Sequence, residues 1–330
     1  MANSPKLRIV FMGTPDFAAI ILRALVAWPC ADVVAAYSQP DRPAGRGYKL
    51  QIPAVKRLAL EFGLPVFQPL RLDNSADLRT LADFEPDVLA VAAYGMILPD
   101  TVLSLPRLEP LNVHASLLPL YRGAAPMQRA IMDSWRGDAV TGVSVMRIVR
   151  RLDSGPVFAA CKVPVSGHTF GSLHDLLAEE GARLLLHVLD DLLKGTASAC
   201  DQDDATATYA AKITRQDRHI FWDRPAAAVH AHIRALTPRP GARASFLFHA
   251  LSAPLAFTLS PGISGELLQG QKPGSLFLEG DTLKVACADR WYTVSRLRPE
   301  GGRDMPVRDF VNGYLRNAAL PECGVAVTSG

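Results

Sequence analysis

The sequence predicts an α/β protein in two parts, an alternating strand–helix domain followed by a smaller domain built mainly of short strands. Three observations predict it. Apolar runs of strand length alternate with helical stretches over 7–195, as in a sheet covered by crossover helices. A polar, small-residue stretch at 196–210, "TASACDQDDATATYA", breaks the pattern and reads as a linker. Beyond it, strand-like runs are interrupted by Gly and Pro, a spacing that suggests a small β-barrel. The domains are therefore placed at 1–195 and 211–330.

Each element follows from its residues. "LRIVFMG" reads as a buried strand ending in a glycine turn. "PDFAAIILRALVAW" has Pro15 near its start and apolar positions at helical spacing. "DVVAAYS" is a second strand, and "AVKRLALEFG" a helix with Gly63 just past its end. "PDVLAVAAYG" is a continuous apolar strand, as the middle of a parallel sheet requires. "PLNVHA" is a short strand, and "PMQRAIMDSW" a helix with Pro126 at its start. "AVTGVSVMRI" and "PVFAACKVPV" are strands, and "GSLHDLLAEEGARLLLHVLDDLLKG" is a long amphipathic helix. After the linker come a helix, "PAAAVHAHIRAL", the strand-like runs "ASFLFHA", "PLAFTLS", "GSLFLEGDTLKVACA" and "WYTVSRL", and a last helix, "VRDFVNGYLRN".

Composition bounds the function. With 49% apolar and 20% charged residues the chain is globular. The longest uncharged apolar run, 88–98, is too short to span a bilayer, and the N-terminus lacks a signal-peptide pattern. A cytoplasmic monomer is expected, with no membrane partner. The five cysteines form no CxxC pair, so neither a disulfide framework nor a metal site is expected. The first strand–helix turn, "FMGTPDFA", is Rossmann-like in placement but is not GxGxxG, and no GxxxxGK[ST] occurs. No nucleotide cofactor is expected, and a dehydrogenase reading has little support. The net charge is only +3, but 212–243 holds Lys212 and six arginines (Arg215, Arg218, Arg224, Arg234, Arg239, Arg243) against Asp217 and Asp223. That local excess suits a polyanion such as RNA, although a solvated face has the same composition.

The stretch "LNVHASLLPLYRGAAP" at 111–126 carries the chemistry. It puts Asn112 and His114 at the carboxyl end of a strand, where ligands sit in open α/β sheets. Asp153, in "RRLDSGPV", lies in a loop between two strands. Asn can donate to an oxyanion without changing charge. His can donate to the same oxygen or move a proton, and a nearby carboxylate favours its charged form. Together they suit acyl transfer to an amine. Ser116 is not in a GxSxG elbow, so direct transfer without a covalent intermediate is favoured. Taken singly, each polar loop residue is more often structural; the reading rests on their combination.

"NVHASLLPLYRGAAP" closely resembles the signature of the folate-dependent formyltransferases, N-x-H-x-S-L-L-P-x-Y/W-R-G. The resemblance implies a Rossmann-like formyltransferase domain, an OB-like second domain, a 10-formyltetrahydrofolate co-substrate and no metal. It implies catalytic roles for Asn112, His114 and Asp153. "AYGMILP" resembles the segment lining the family's folate pocket, so Met96, Ile97 and Leu98 are expected around the pterin. Ser116, Leu117, Leu118 and Pro119 are expected to border the folate, with a cis bond at Leu118–Pro119 compatible with an X-Pro pair. "SQPDRPAGRGYKL" resembles a basic loop found in the family members that formylate the methionine carried by initiator tRNA, and it offers Arg42, Arg46 and Lys49 to tRNA phosphates. "TYAAKITRQDRHIFWD" and "IRALTPRPGA" resemble the start of those members' C-terminal domain. One departure stands out. The family's M-D-x-G-L-D-T-G-D loop is here "MRIVRRLDSGPV", and its basic form is similar to that of members acting on amino-sugar nucleotides. Two rivals remain: a formyltransferase acting on a UDP-amino sugar or glycinamide ribonucleotide, against which the basic 39–50 loop and barrel-like tail argue, and a catalytically silent RNA-binding protein, against which retention of all three polar residues argues.

Overall fold

In the computed structural model, which describes residues 6–44, 49–137, 139–315 and 322–327, the first apolar run forms strand β1 (Leu7–Gly13), buried at every position but Arg8. Burial on both faces is what a central parallel strand demands. Helix α1 (Asp16–Ala27) starts after Pro15 and buries Phe17, Ala18, Ile21, Leu22 and Leu25, a helical stripe. Strand β2 (Ala31–Tyr37) follows. In the basic stretch β3 (Arg42–Ala44) and β4 (Lys49–Gln51) pair antiparallel. Then come α2 (Ala54–Glu61), β5 (Val66–Phe67) and α3 (Ser75–Ala82). Sequence patterning misses α3 because it buries only Leu81; a cap starts it, with the Asn74 side chain accepting from the backbone N–H groups of Ala76 and Asp77. The chain continues through β6 (Val88–Ala92), α4 (Asp100–Leu103), β7 (Glu109–His114), β8 (Arg122–Gly123), α5 (Pro126–Asp133), β9 (Val140–Arg147), β10 (Val157–Pro164), α6 (Phe170–Lys194) and β11 (Tyr209–Ala210).

Seven of these strands form one sheet in the order β10-β9-β7-β6-β1-β2-β5. Strand β1 pairs parallel with both β2 and β6, and β6 pairs parallel with β7. Strand β9 runs antiparallel to β7, so the sheet is mixed at this side. The chain leaves β1 in opposite directions for β2 and β6, and ligand crevices open beyond the carboxyl ends of such strands. Those ends carry Gly13, Ala92 and His114.

The chain folds as two compact units: the first runs to Pro126 and adds Thr141–Val163 and His174–Ala210, and the second takes Met127–Val140, Pro164–Leu173 and everything from Ala211 on. The stretch 196–210, legible as a linker, is anchored within the first unit. Val157 and Cys200 exchange backbone hydrogen bonds, and β11 pairs with β8.

The second unit contains α7 (Ala226–Leu236), a nine-stranded curled antiparallel sheet and α8 (Val307–Tyr314). Its strands are β12 (Ala242–Phe248), β13 (Leu255–Leu259), β14 (Ile263–Leu267), β15 (Ser275–Glu279), β16 (Thr282–Ala286), β17 (Arg290–Val294), β18 (Arg296–Pro299), β19 (Met305–Pro306) and β20 (Glu322–Val327). This is the OB-like domain. Trp222, Phe246, Phe248, Phe257, Tyr292 and Phe310 fill its core. The Tyr292 hydroxyl is satisfied there, accepting from Gly262 N at 2.7 Å and lying 3.1 Å from His230 Nδ1. The basic 212–243 stretch loses one member to the fold. Arg234 is only 9% exposed and donates to the carbonyls of His168 (2.7 Å) and Val165 (3.4 Å) and to Ser134 Oγ (2.9 Å). Its charge ties three segments of this unit together and is withdrawn from any partner.

Burial, with help from the Arg224 charge, lowers His232 from its ordinary 6.5 to about 4. An unfolded chain therefore binds a proton here that the folded one refuses. Stability is expected to fall by up to about 1.4 kcal/mol per pH unit between these two values. Urea titrations from pH 7 to 4 check this, and a His232→Gln variant should show a flatter slope over that range.

Candidate active site

Asn112 and His114 stand two residues apart in β7, so their side chains leave the same face of the sheet. The following turn reverses through a cis Leu118–Pro119 bond and places Tyr121 at φ 57°. The fully buried Ser116 braces this turn. Its hydroxyl donates to the Leu120 carbonyl at 2.6 Å, and its own carbonyl accepts from Ser144 Oγ at 2.8 Å. The hydroxyl is thus committed to the chain and is not placed as a nucleophile.

The turn brings the Tyr121 carbonyl 3.1 Å from His114 Nε2. A carbonyl only accepts, so Nε2 carries the proton. The other ring nitrogen, Nδ1, lies 3.7 Å from Asp153 Oδ2, and the two side chains are 8% and 12% exposed. This is ion-pair distance and too long for a direct hydrogen bond. Asp153 Oδ2 instead accepts from Gly123 N at 2.8 Å. Asp153 itself sits at φ 48°, in the left-handed region that costs a non-glycine residue about 1 kcal/mol. Gly155, two residues on, allows the tight approach: a Cβ there would meet the Arg147 carbonyl oxygen at 2.0 Å. Among the described residues no protein group hydrogen-bonds the half-buried Asn112 carboxamide, whose donors are left for something else.

The segment after β6 turns through Ala93 and Gly95, both at positive φ, and is tied to the end of β1 by Thr14 Oγ1 donating to the Tyr94 carbonyl at 2.9 Å. Leu98 is buried in the core and Met96 half-buried, while Ile97 is 88% exposed. Of the basic-loop residues, Arg42 is exposed and donates to Gln39 Oε1 at 3.1 Å. Arg46 and the side chain of Lys49 lie outside the described residues. Asp41 does not oppose these cations: Lys56 and Gln68 bond it, and the Lys56 hydrogen bond holds its carboxyl below the usual range.

In the basic 147–156 loop two of the arginines are paired with carboxylates outside it, Arg147 with Glu109 and Arg151 with Asp204. Arg151 also reaches the Tyr209 hydroxyl at 3.5 Å. Asp204 also accepts from Arg122 Nη1 at 2.8 Å, and Arg122 is completely buried. Sequence reading assigns no role to Arg122, Gln202 or Asp204, the last two lying in the stretch that reads as a linker. Only the arginine's place inside the signature hinted otherwise.

In the second unit Arg218 is surrounded by Arg215, Arg243 and Arg298; burial and these neighbours depress its pKa. A groove of about 500 Å³ in the same unit is lined by Arg129, Arg136, Arg224, Trp135 and His232, among others.

The pattern of the formyl transferase family matches residues 7–189, and that of the formyl transferase C-terminal domain matches 212–315. A methionyl-tRNA formyltransferase of Desulfovibrio desulfuricans is 56% identical over 99% of this chain and 98% of its own length. One from Nitratidesulfovibrio vulgaris is 48% identical over the whole of both chains. Among solved structures, HypX from Aquifex aeolicus in complex with tetrahydrofolic acid shares the fold, with a TM-score of 0.61 at 16% identity over 95% of this chain; this chain spans 48% of that one.

Proposed function

The chain belongs to the formyl transferase family, as one of its methionyl-tRNA formyltransferases, and on that premise we propose how its residues pass formyl from 10-formyltetrahydrofolate to the α-amine of methionyl initiator tRNA. The observation that carries the reading is the His114–Asp153 pair beside a carboxamide with no protein partner among the described residues. The neutral amine of the acceptor attacks the formyl carbon; an ammonium has no lone pair to do so. The carbonyl electrons move to oxygen, and Asn112 Nδ2 donates to the oxyanion. His114 Nε2 is held by the Tyr121 carbonyl, which orients the ring. Nδ1 is the nitrogen with no direct hydrogen bond, so it donates to the oxyanion when protonated. Asp153 balances the charge this creates. Collapse breaks the bond from carbon to N10, and the proton lost by the attacking nitrogen passes to N10 through His114 or water. No step needs a metal.

The exposure of Ile97 beside the buried Leu98 supports a pterin site at Met96, Ile97 and Leu98. The turn at Ser116, Leu117, Leu118 and Pro119 would border the folate through its backbone and leucine side chains, since the Ser116 hydroxyl is occupied. Cytoplasmic action fits these substrates, and among the described residues no helix is long and apolar enough to cross a membrane.

Arg42, Arg46 and Lys49 would contact tRNA phosphates, joined by the second unit's exposed cations. The exposed Arg215 and Arg298 beside Arg218 support an anion there, Arg243 being already paired with Glu300 at 3.1 Å, and the groove lined by Trp135 and three arginines adds a stacking surface. The affinity for tRNA is expected to fall about 10³–10⁵ between 50 and 200 mM salt if roughly six to ten phosphates are neutralised. Arg215→Ala and Arg298→Ala should each reduce the slope by about one. A filter-binding titration reads both, and salt-independent binding would remove this surface from the tRNA site.

The decisive test is transfer of formyl from 10-formyltetrahydrofolate to charged initiator tRNA, with a UDP-amino sugar in parallel. Product on the tRNA alone is expected. Product on the sugar alone would move the acceptor and keep the three residues in place.

A further inference from the structure

Gln202 lies in the stretch that patterning reads as a linker, yet its carboxamide makes four hydrogen bonds. Nε2 donates to the carbonyls of Asp153 (2.9 Å) and Gly155 (2.7 Å). Oε1 accepts from Arg122 Nη2 (2.8 Å) and Nε (3.1 Å). Only a primary amide offers two donors on one end and two lone pairs on the other. Arg122 is fully buried and is anchored in turn by Asp204, at 2.8 Å. The same stretch holds the turn after β7: Arg122 N donates to the Thr208 carbonyl at 2.9 Å, and Tyr121 N to Thr208 Oγ1 at 2.8 Å. Residues 202–208 therefore clamp both loops of the candidate site, the one whose Tyr121 carbonyl orients His114 and the one that carries Asp153.

We propose that Gln202 is a positioning residue for formyl transfer, holding the Asp153 turn against the His114 turn, with Arg122 as its anchor. The proposal rests on the reading that Asp153 acts on His114. Asp153 occupies a left-handed backbone conformation, which persists only where surrounding bonds over-determine it. Gln202 supplies such bonds at the carbonyl of that residue and of the glycine two places on. The direct tie from Gly123 N to the Asp153 carboxylate sets the side chain; Gln202 sets the backbone from which it projects.

Gln202→Glu tests this, because it keeps the shape and the acceptor facing Arg122 but replaces the NH2 group that donates to two carbonyls with one oxygen facing them. Its kcat is expected to fall roughly 10- to 100-fold, with KM for 10-formyltetrahydrofolate within about twofold, since the pterin segment is untouched. Gln202→Met, which removes the donors without adding charge, should fall in the same direction. The discriminating measurement is a double-mutant cycle with Asp153→Asn. If Gln202 acts through Asp153, Gln202→Glu adds no further loss in that background. Unchanged kcat in both Gln202 variants, or losses that multiply in full, would overturn the positioning role. Wild-type turnover of Asp153→Asn alone would instead bring down the catalytic reading and this proposal with it.

Discussion

Alanine at Asn112 or His114 is expected to lower kcat by about 10²–10³ for each substitution, the usual cost of one oxyanion donor. The Asn112 carboxamide has no protein partner among the described residues, so its loss should leave stability nearly unchanged and appear in turnover. His114 is more embedded, at 7% exposure, and its loss leaves the Tyr121 carbonyl without its donor. Some loss of stability is expected there, and denaturation curves separate it from the kinetic effect. At Asp153 the cleaner change is Asn, which tolerates positive φ and can still accept from Gly123 N while removing the charge near Nδ1. KM for the folate should move little in all three if these groups act on the transition state alone. Wild-type kcat in any one of them removes that residue from the mechanism.

Gly155→Ala is expected to damage both fold and turnover. Its Cβ would stand 2.0 Å from the Arg147 carbonyl oxygen and 3.3 Å from Val149 Cγ1. The first is a backbone atom and cannot rotate away. Arg147 N also donates to the Pro156 carbonyl at 2.9 Å, so β9 and β10 close at this point. Relief requires the two strands to part or the turn to shift, and either moves Asp153. A loss of about 1–3 kcal/mol in urea unfolding is expected, with at least a tenfold drop in kcat that persists where the variant is fully folded. Gly313→Ala is the control. That glycine has open space at its Cβ position within α8, and alanine there should be neutral or stabilising by up to about 1 kcal/mol. Equal behaviour of the two variants would show that the approach at Gly155 relaxes without cost.

Much of the first unit was legible because its signals are local. Continuous apolar runs marked β1 and β6, and a helical stripe marked α1. The second unit was harder to read. Strand β14 is largely exposed, with Gly265 in its middle, so it shows no alternation. Strand β20 pairs with β12 and β15, and that pairing across the sequence defines it. The basic 212–243 stretch was visible as charge, but composition could not separate Arg234, which is buried and donates to two backbone carbonyls and the Ser134 hydroxyl, from Arg215, which is exposed.

The sequence by itself determined the strand–helix alternation of the first unit and the family signature, and it singled out Asn112, His114 and Asp153 as candidates, because periodicity and motif spacing are carried by neighbours a few residues apart. Tertiary structure alone decided which nitrogen of His114 is anchored, that Ser116 faces its own turn, and that Arg122 is buried against Gln202 and Asp204, some eighty residues away in the chain. The physical reason is that a buried polar group must find a partner wherever packing places one. The identity of that partner depends on chain crossings that no local pattern records.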